Sequence, residues 1–206
     1  MIMRKIDPEK HAERRQTIID AAKGCFAQKG FHGTSTAEIC AAAGMSPGNL
    51  FHYFPNKQAM IAAIVDQEGA SIAAYFEAVG RETDLYAALV TFMDVVLDLA
   101  ADPAFASLTL EIAAETVREG EIRSRVERND KAMREALQAV LREAARRGQI
   151  DATLDAAGAA VWIAALIDGI FSRIAVDPDF RPLQNRKMMH TLLDRFLRHG
   201  IATGGS

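Results

Sequence analysis

Residues 33–57 read Gly33-Thr34-Ser35-Thr36-Ala37-Glu38-Ile39-Cys40-Ala41-Ala42-Ala43-Gly44-Met45-Ser46-Pro47-Gly48-Asn49-Leu50-Phe51-His52-Tyr53-Phe54-Pro55-Asn56-Lys57. Ser35 with Glu38 three residues on forms a capping box, which predicts a helix over Thr36–Ala43. Ile39 and Ala42 are expected to face inward. Gly44 ends that helix, because glycine enters the left-handed region without steric cost. Ser46 can cap the free amides of the next helix, and Pro47 suits its first position. That helix is short, about Pro47–Tyr53. Pro55 stops it, and Asn56 caps another that starts at Lys57. Two short helices about a glycine turn make a helix-turn-helix. Upstream, Arg14–Lys29 carries Ile18, Ala22, Cys25 and Phe26 on one face; Lys29-Gly30 stops it, and Phe31 turns back onto the same core.

In such a motif the second short helix reads a groove. Gly48, Asn49, His52 and Tyr53 are expected outside, with Leu50 and Phe54 inside. Asn49, His52 and Tyr53 carry groups that bond base edges or phosphates. The helix starts at Thr36 and Pro47 offer free amides to phosphate oxygens. Lys57 stands at a helix start, where the dipole disfavours a cation, so its placement suits a phosphate. The bland alternative is that capped helix–glycine–helix segments also occur in bundles without a nucleic-acid role. His52 and Tyr53 then become ordinary surface residues.

Charge favours the first reading. The 206-residue chain has a net charge of −3, but residues 1–57 hold eight basic residues (Arg4, Lys5, Lys10, Arg14, Arg15, Lys23, Lys29, Lys57) against five acids. The remainder holds sixteen basic and twenty-two acidic residues. A local excess of cations suits a polyanion, because phosphate neutralisation supplies much of the affinity. Alanine occurs 37 times, prolines number six, and half of the residues are apolar. Helix formers with few β-branched runs predict an all-α, ordered chain. Ala156–Ile167 is too short to span a bilayer, Ile39–Asn56 is broken by Gly44, Ser46, Pro47, Asn49 and His52, and no signal peptide is apparent. A cytoplasmic protein without a membrane partner is expected. Cys25 and Cys40 read as small buried thiols, with nothing to mark either as activated for a redox role.

The composite run from Gly33 to Lys57 resembles the TetR/AcrR family of bacterial transcriptional regulators, over about residues 10–62. That family is marked by a Thr-Ser or Thr-Thr helix start, an Ala-Gly-Val-Ser turn, Gly-x-Leu-Tyr-x-His/Tyr-Phe, and a Lys three residues later. The resemblance implies a homodimer of all-helical subunits. Each would have an N-terminal DNA-binding domain (1–62) and a C-terminal domain (63–206) that binds a small effector and dimerises. By position it implies phosphate contacts from Thr34, Ser35, Ser46, Tyr53 and Lys57. Pro47, Gly48, Asn49 and His52 become the base-edge candidates. Three positions depart from the pattern: Phe51 replaces the usual Tyr, His52-Tyr53 reverses the frequent order, and Pro47 stands where a contacting side chain is common.

Beyond Lys57 the periodicity predicts helices at about Lys57–Val79, Asp84–Ala100, from Pro103 to Gly120, Glu121–Arg147, Leu154–Ala175 and Asn185–His199, nine helices in all. Asp94 and Asp98 read as a solvated face; Glu121–Arg125 and Glu127–Lys131 fall at i, i+4 spacing. The penultimate helix is apolar on two faces and so should be buried on both sides. Paired with the last helix across a two-fold axis, it would build a four-helix bundle from Ala159, Ile163, Ile167, Ile170, Phe171, Ile174, Met189, Leu193, Phe196 and Leu197. The alternative is an internal core helix of a monomer. His190 and His199 read as surface or interface residues.

The family resemblance also implies an effector pocket among the fourth to eighth helices. Candidate walls are Tyr75, Phe76, Phe92, Met93, Phe105, Leu108 and Trp162, each of which also reads as core. Thr109, Glu111, Glu115 and Asp168 are polar groups near apolar stripes that could orient a mostly apolar ligand. The expected function is a ligand-released repressor on a palindromic operator, with no cofactor or metal. A helical ligand-binding or scaffold protein without DNA activity is the alternative. An enzyme is the weaker rival: the five histidines and two cysteines show no metal-ligand spacing, and no nucleophile elbow or phosphate-cradling glycine loop is present.

Overall fold

Nine α-helices and one 3-10 turn make up the regular structure of residues 7–198, the part described by the computed structural model. They are α1 (Pro8–Gly33), α2 (Thr36–Ala43), α3 (Pro47–Tyr53), α4 (Lys57–Val79), α5 (Leu85–Ala101), α6 (Pro103–Arg118), α7 (Gly120–Arg146), α8 (Ala156–Val176) and α9 (Arg186–Arg198), with the turn at Pro182–Asn185. No strand occurs among the described residues. His199 and the Gly204-Gly205-Ser206 tail lie outside them.

Two compact units form. The first takes residues up to Gln67 together with Ser107–Arg125; the second takes Glu68–Ala106 and the chain from Val126 onward. The expected boundary after residue 62 is a single cut, whereas α6 gives its second half to the first unit. Sequence periodicity carries no information about which unit a helix half joins.

In the first unit, Ile18, Ala22, Phe26, Phe31, Ile39, Leu50 and Phe54 are buried together with Met60, Ile61 and Ile64 of α4. Each such large side chain contributes about 2 kcal/mol on burial. Ile39 is inward as expected, but Ala42 is exposed; Cys40 takes the buried position instead. The core of the second unit joins α4, α5, α7, α8 and α9 through Phe76, Leu89, Phe92, Leu97, Leu141, Ile163 and Leu193. Asp94 and Asp98 are not merely solvated. Asp94 lies 2.8 Å from His190 and 3.5 Å from Arg186, and Asp98 lies 2.5 Å from Arg186, so two acids of α5 hold α9. On α7, Arg125 meets Glu121 at 2.9 Å, and Lys131 pairs with Glu135 at 3.9 Å.

The α8–α9 pair departs from expectation. Ala159, Ile163, Ile170, Phe171, Met189, Leu193 and Leu197, expected on a dimer face, are buried in the protomer's own core, and Ile167, Ile174 and Phe196 are half-buried against it. The reason is the two apolar faces of α8. The stripe through Ala159, Ile163 and Ile170 faces the core. The stripe through Val161, Trp162, Ala165, Gly169 and Val176 is exposed. By length and composition α8 would qualify as a membrane span; the burial of its core stripe gives that apolarity a use inside a folded unit.

Candidate nucleic-acid interface

The helix-turn-helix forms at the expected boundaries. Ser35 Oγ accepts the Glu38 amide at 3.2 Å, and the Ser35 amide donates to Glu38 Oε2 at 2.7 Å, so both arms of the capping box are present. Lys29 bonds the same carboxylate. That bond, followed by the bonds from Ser35, lowers the Glu38 pKa to about 2. Gly44 is left-handed at φ 63° and ψ 36°. Ser46 Oγ accepts the Asn49 amide at 3.3 Å, and Asn56 Oδ1 accepts the Ala59 amide at 2.8 Å, starting α4.

Six residues along and before α3 are exposed: Ser46, Pro47, Gly48, Asn49, Phe51 and His52. Tyr53 is half-buried, and Leu50 is fully buried beneath them. Ser35 is also exposed, its oxygen already engaged in the cap. Phe51, at 46 % exposure, is an apolar member of this face that the residue pattern did not single out. His11 of α1 was missed as well: its ring lies 4.8 Å from that of Tyr53. The signal was present, since a histidine one turn into a basic helix can reach a neighbouring reader, but no spacing rule linked it to position 53.

Two expected phosphate contacts have other partners. Thr34 is 1 % exposed; its hydroxyl lies 2.8 Å from the Gly30 carbonyl and 3.1 Å from that of Cys25. Burial and these bonds give the hydroxyl its partners inside the protein. Lys57 Nζ donates to the carbonyls of Phe31 at 2.8 Å and Thr34 at 2.5 Å, and stands 4.8 Å over the Phe31 ring. Its position at a helix start is therefore explained by a clamp on the α1–α2 corner. The same corner is gripped by α6. Gly30 adopts φ 72° and ψ 165°, Phe31 N donates to Glu111 at 2.8 Å, and His32 meets the buried Glu115 at 2.9 Å. Glu111 and Glu115, considered above as ligand-orienting groups, serve this corner. Arg118 completes the set, 2.7 Å from Glu115.

Residues 18–64 match the family model for bacterial regulatory proteins of the tetR family, and residues 85–198 match that for the C-terminal part of BetI-type transcriptional repressors. The chain belongs to the TetR family. Among TetR-family proteins it is 28 % identical to the transcriptional regulator UidR of Escherichia coli K12 over 165 residues, 79 % of this chain and 82 % of the relative. It is 26 % identical over 167 residues to the repressor AcnR of Corynebacterium efficiens, covering 81 % and 85 %. The structure of Salmonella enterica GusR superposes with a TM-score of 0.75 at 31 % identity, covering 90 % of this chain and 95 % of that one. A TetR regulator from Haloarcula marismortui shares the fold at TM-score 0.80 and 21 % identity, over 91 % and 100 %. UidR and AcnR are transcriptional regulators, and this TetR-family chain is one too.

The expected effector residues of this TetR-family chain separate into groups. Tyr75, Phe76 and Phe92 form one aromatic cluster, with Phe76 4.9 Å from Phe92 and Tyr75 5.5 Å from Phe92. Phe76 also lines an apolar groove of about 440 Å³ between α4 and α7, with Ile72, Ala73, Met133, Ala136 and Val140. Met93 is a core residue, and Phe105 packs 6.0 Å from Phe171. Leu108 is buried and Thr109 half-buried in the part of α6 that belongs to the first unit. Trp162 is 70 % exposed and faces out beside Leu166, Leu192 and Phe196. It lines a surface groove between α8 and α9 rather than an interior wall. Asp168 is exposed on α8, and partial desolvation, followed by Asp130, raises its pKa.

Proposed function

We propose that the chain is a homodimeric repressor that binds a palindromic operator through α3 and is released by a small, mostly apolar effector. The observation that carries this reading is the exposed polar face of α3: Asn49 and His52 over a buried Leu50, beside an α2 capped by Ser35 and Glu38. Asn49 suits the paired edge of an adenine, His52 a purine acceptor, and Pro47 a thymine methyl. Ser35, Ser46 and Tyr53 remain as phosphate partners. Repression is favoured over activation by the match of residues 85–198 to a repressor model. Dimerisation is supported by the exposed stripe of α8 and by Met188 and Leu192 of α9. Small residues at Ala165 and Gly169 allow helices to approach closely. A two-fold axis through this face would set two readers at a fixed spacing on one duplex.

The apolar groove beside Phe76 and the Tyr75–Phe76–Phe92 cluster supports an apolar effector. Release requires the effector to prefer a state in which the readers no longer match operator spacing. α4 contributes to both units and would carry that change. Selection of genomic fragments by the purified protein at moderate salt, with gel shifts of the enriched duplexes, tests the reading. Enrichment of a palindrome near a promoter supports it. A folded dimer that enriches no fragment favours the helical scaffold alternative.

A further inference from the structure

One member of the α3 face comes from another helix. His11 of α1 lies 4.8 Å from the Tyr53 ring at 42° and 6.4 Å from the His52 ring at 79°; His52 and Tyr53 meet edge to face at 5.3 Å. His11 and Tyr53 are half-buried, and His52 is exposed. Tyr53 is the last residue of α3, and Phe54 beyond it is extended. A ring at a helix end has rotamer freedom to lose when it meets DNA. A second ring packed on it removes part of that loss beforehand. His11 lies outside residues 18–64, the span that matches the tetR-family model.

The charges around His11 are mostly positive. Lys10, Arg14 and Arg15 lie within one turn of it, and the Arg15 guanidinium stands 4.8 Å over the Phe54 ring. Asp7 is the acid one turn before. Its carboxylate accepts the Glu9 amide at 3.2 Å and lies 3.7 Å from the Lys10 ammonium. Glu9 and Glu13, two residues to either side, fall on another face of the helix by spacing. On α3, His52 and Tyr53 are the titratable groups that meet it.

We infer that His11 is a positioning residue for operator binding: its ring fixes Tyr53 beside His52. This rests on the operator-binding reading above.

The probe is the duplex that the wild-type full chain enriches from a random-sequence pool. If nothing is enriched, the operator-binding reading falls, and this inference with it. With a duplex in hand, affinity and melting temperature are measured for wild type, His11→Phe and His11→Ala. His11→Phe keeps the ring, the base preference and an affinity close to wild type. His11→Ala keeps the wild-type melting temperature and binds about three- to ten-fold more weakly, the range expected for losing one ring pair. A loss in His11→Phe as large as that in His11→Ala, or wild-type affinity in His11→Ala, overturns the inference while leaving operator binding intact.

Discussion

Lys57 and Glu38 hold the start of the reader in different ways, and each makes a distinct prediction. Lys57 puts its ammonium on two carbonyls of the α1–α2 corner. Charge-assisted bonds of this kind are worth about 2 kcal/mol in total when one partner is removed. Lys57→Ala should therefore lower the unfolding free energy by about 2 kcal/mol in denaturant titration. DNA affinity should drop across all sequences, with little change in the salt dependence of binding. A loss of salt slope at unchanged stability would restore a phosphate role. Glu38 is held at about 2 by Lys29 and Ser35. A carboxyl depressed in the fold favours the folded state above its ordinary range and loses that contribution as pH falls toward about 2. An acid titration followed by circular dichroism should show Glu38→Ala losing helix at higher pH than wild type. Coincident curves would contradict the cap's role. Gly30 is the third such residue. Its φ of 72° is strained for any side chain, and a Cβ there would meet Glu111 at 3.1 Å. Gly30→Ala should cost at least about 1 kcal/mol, read from the same denaturant titration.

At the scale of helices, capping chemistry made α2 and α3 legible to the residue. Ser35, Glu38, Gly44, Ser46, Pro47 and Asn56 are local signals, and each does locally what its type allows. The longer helices were legible from apolar spacing, with boundaries shifted by a residue or two, except that α1 starts six residues before the expected Arg14 and ends four after Lys29. What spacing could not give was the choice between two apolar faces. On α8 both stripes read alike, and only packing against α5 and α9 shows that Ile163 belongs inside and Trp162 outside. The partners of Thr34 and Lys57 were not legible for a related reason: they are backbone carbonyls, up to 26 residues away for Lys57, and backbone atoms leave no mark in sequence. The α8–α9 face yields its own prediction. Trp162→Glu should convert a dimer to a monomer in sedimentation, with the protomer still folded. Ile163→Ala should instead lower stability by about 2–4 kcal/mol. A dimer that tolerates Trp162→Glu would move the interface elsewhere.

For the whole molecule, the uneven charge takes on meaning. The excess of cations lies in the part of the chain that carries the helix-turn-helix, and the acids lie in the remainder. In the proposed dimer, two readers on one duplex would need only modest charge each, because their contacts would add in free energy. Affinity should accordingly fall steeply with salt, roughly one unit of log–log slope per phosphate contact. The measurement that goes most directly to the claim that α3 reads base sequence is a comparison of base preferences. Wild type and Asn49→Ala, matched in melting temperature, would each select from the same random-sequence duplex pool. The account predicts that wild type enriches a palindrome and that Asn49→Ala relaxes the preference at one symmetric pair of positions while keeping the rest. Identical preferences in the two proteins, or none in a folded wild type, would contradict it.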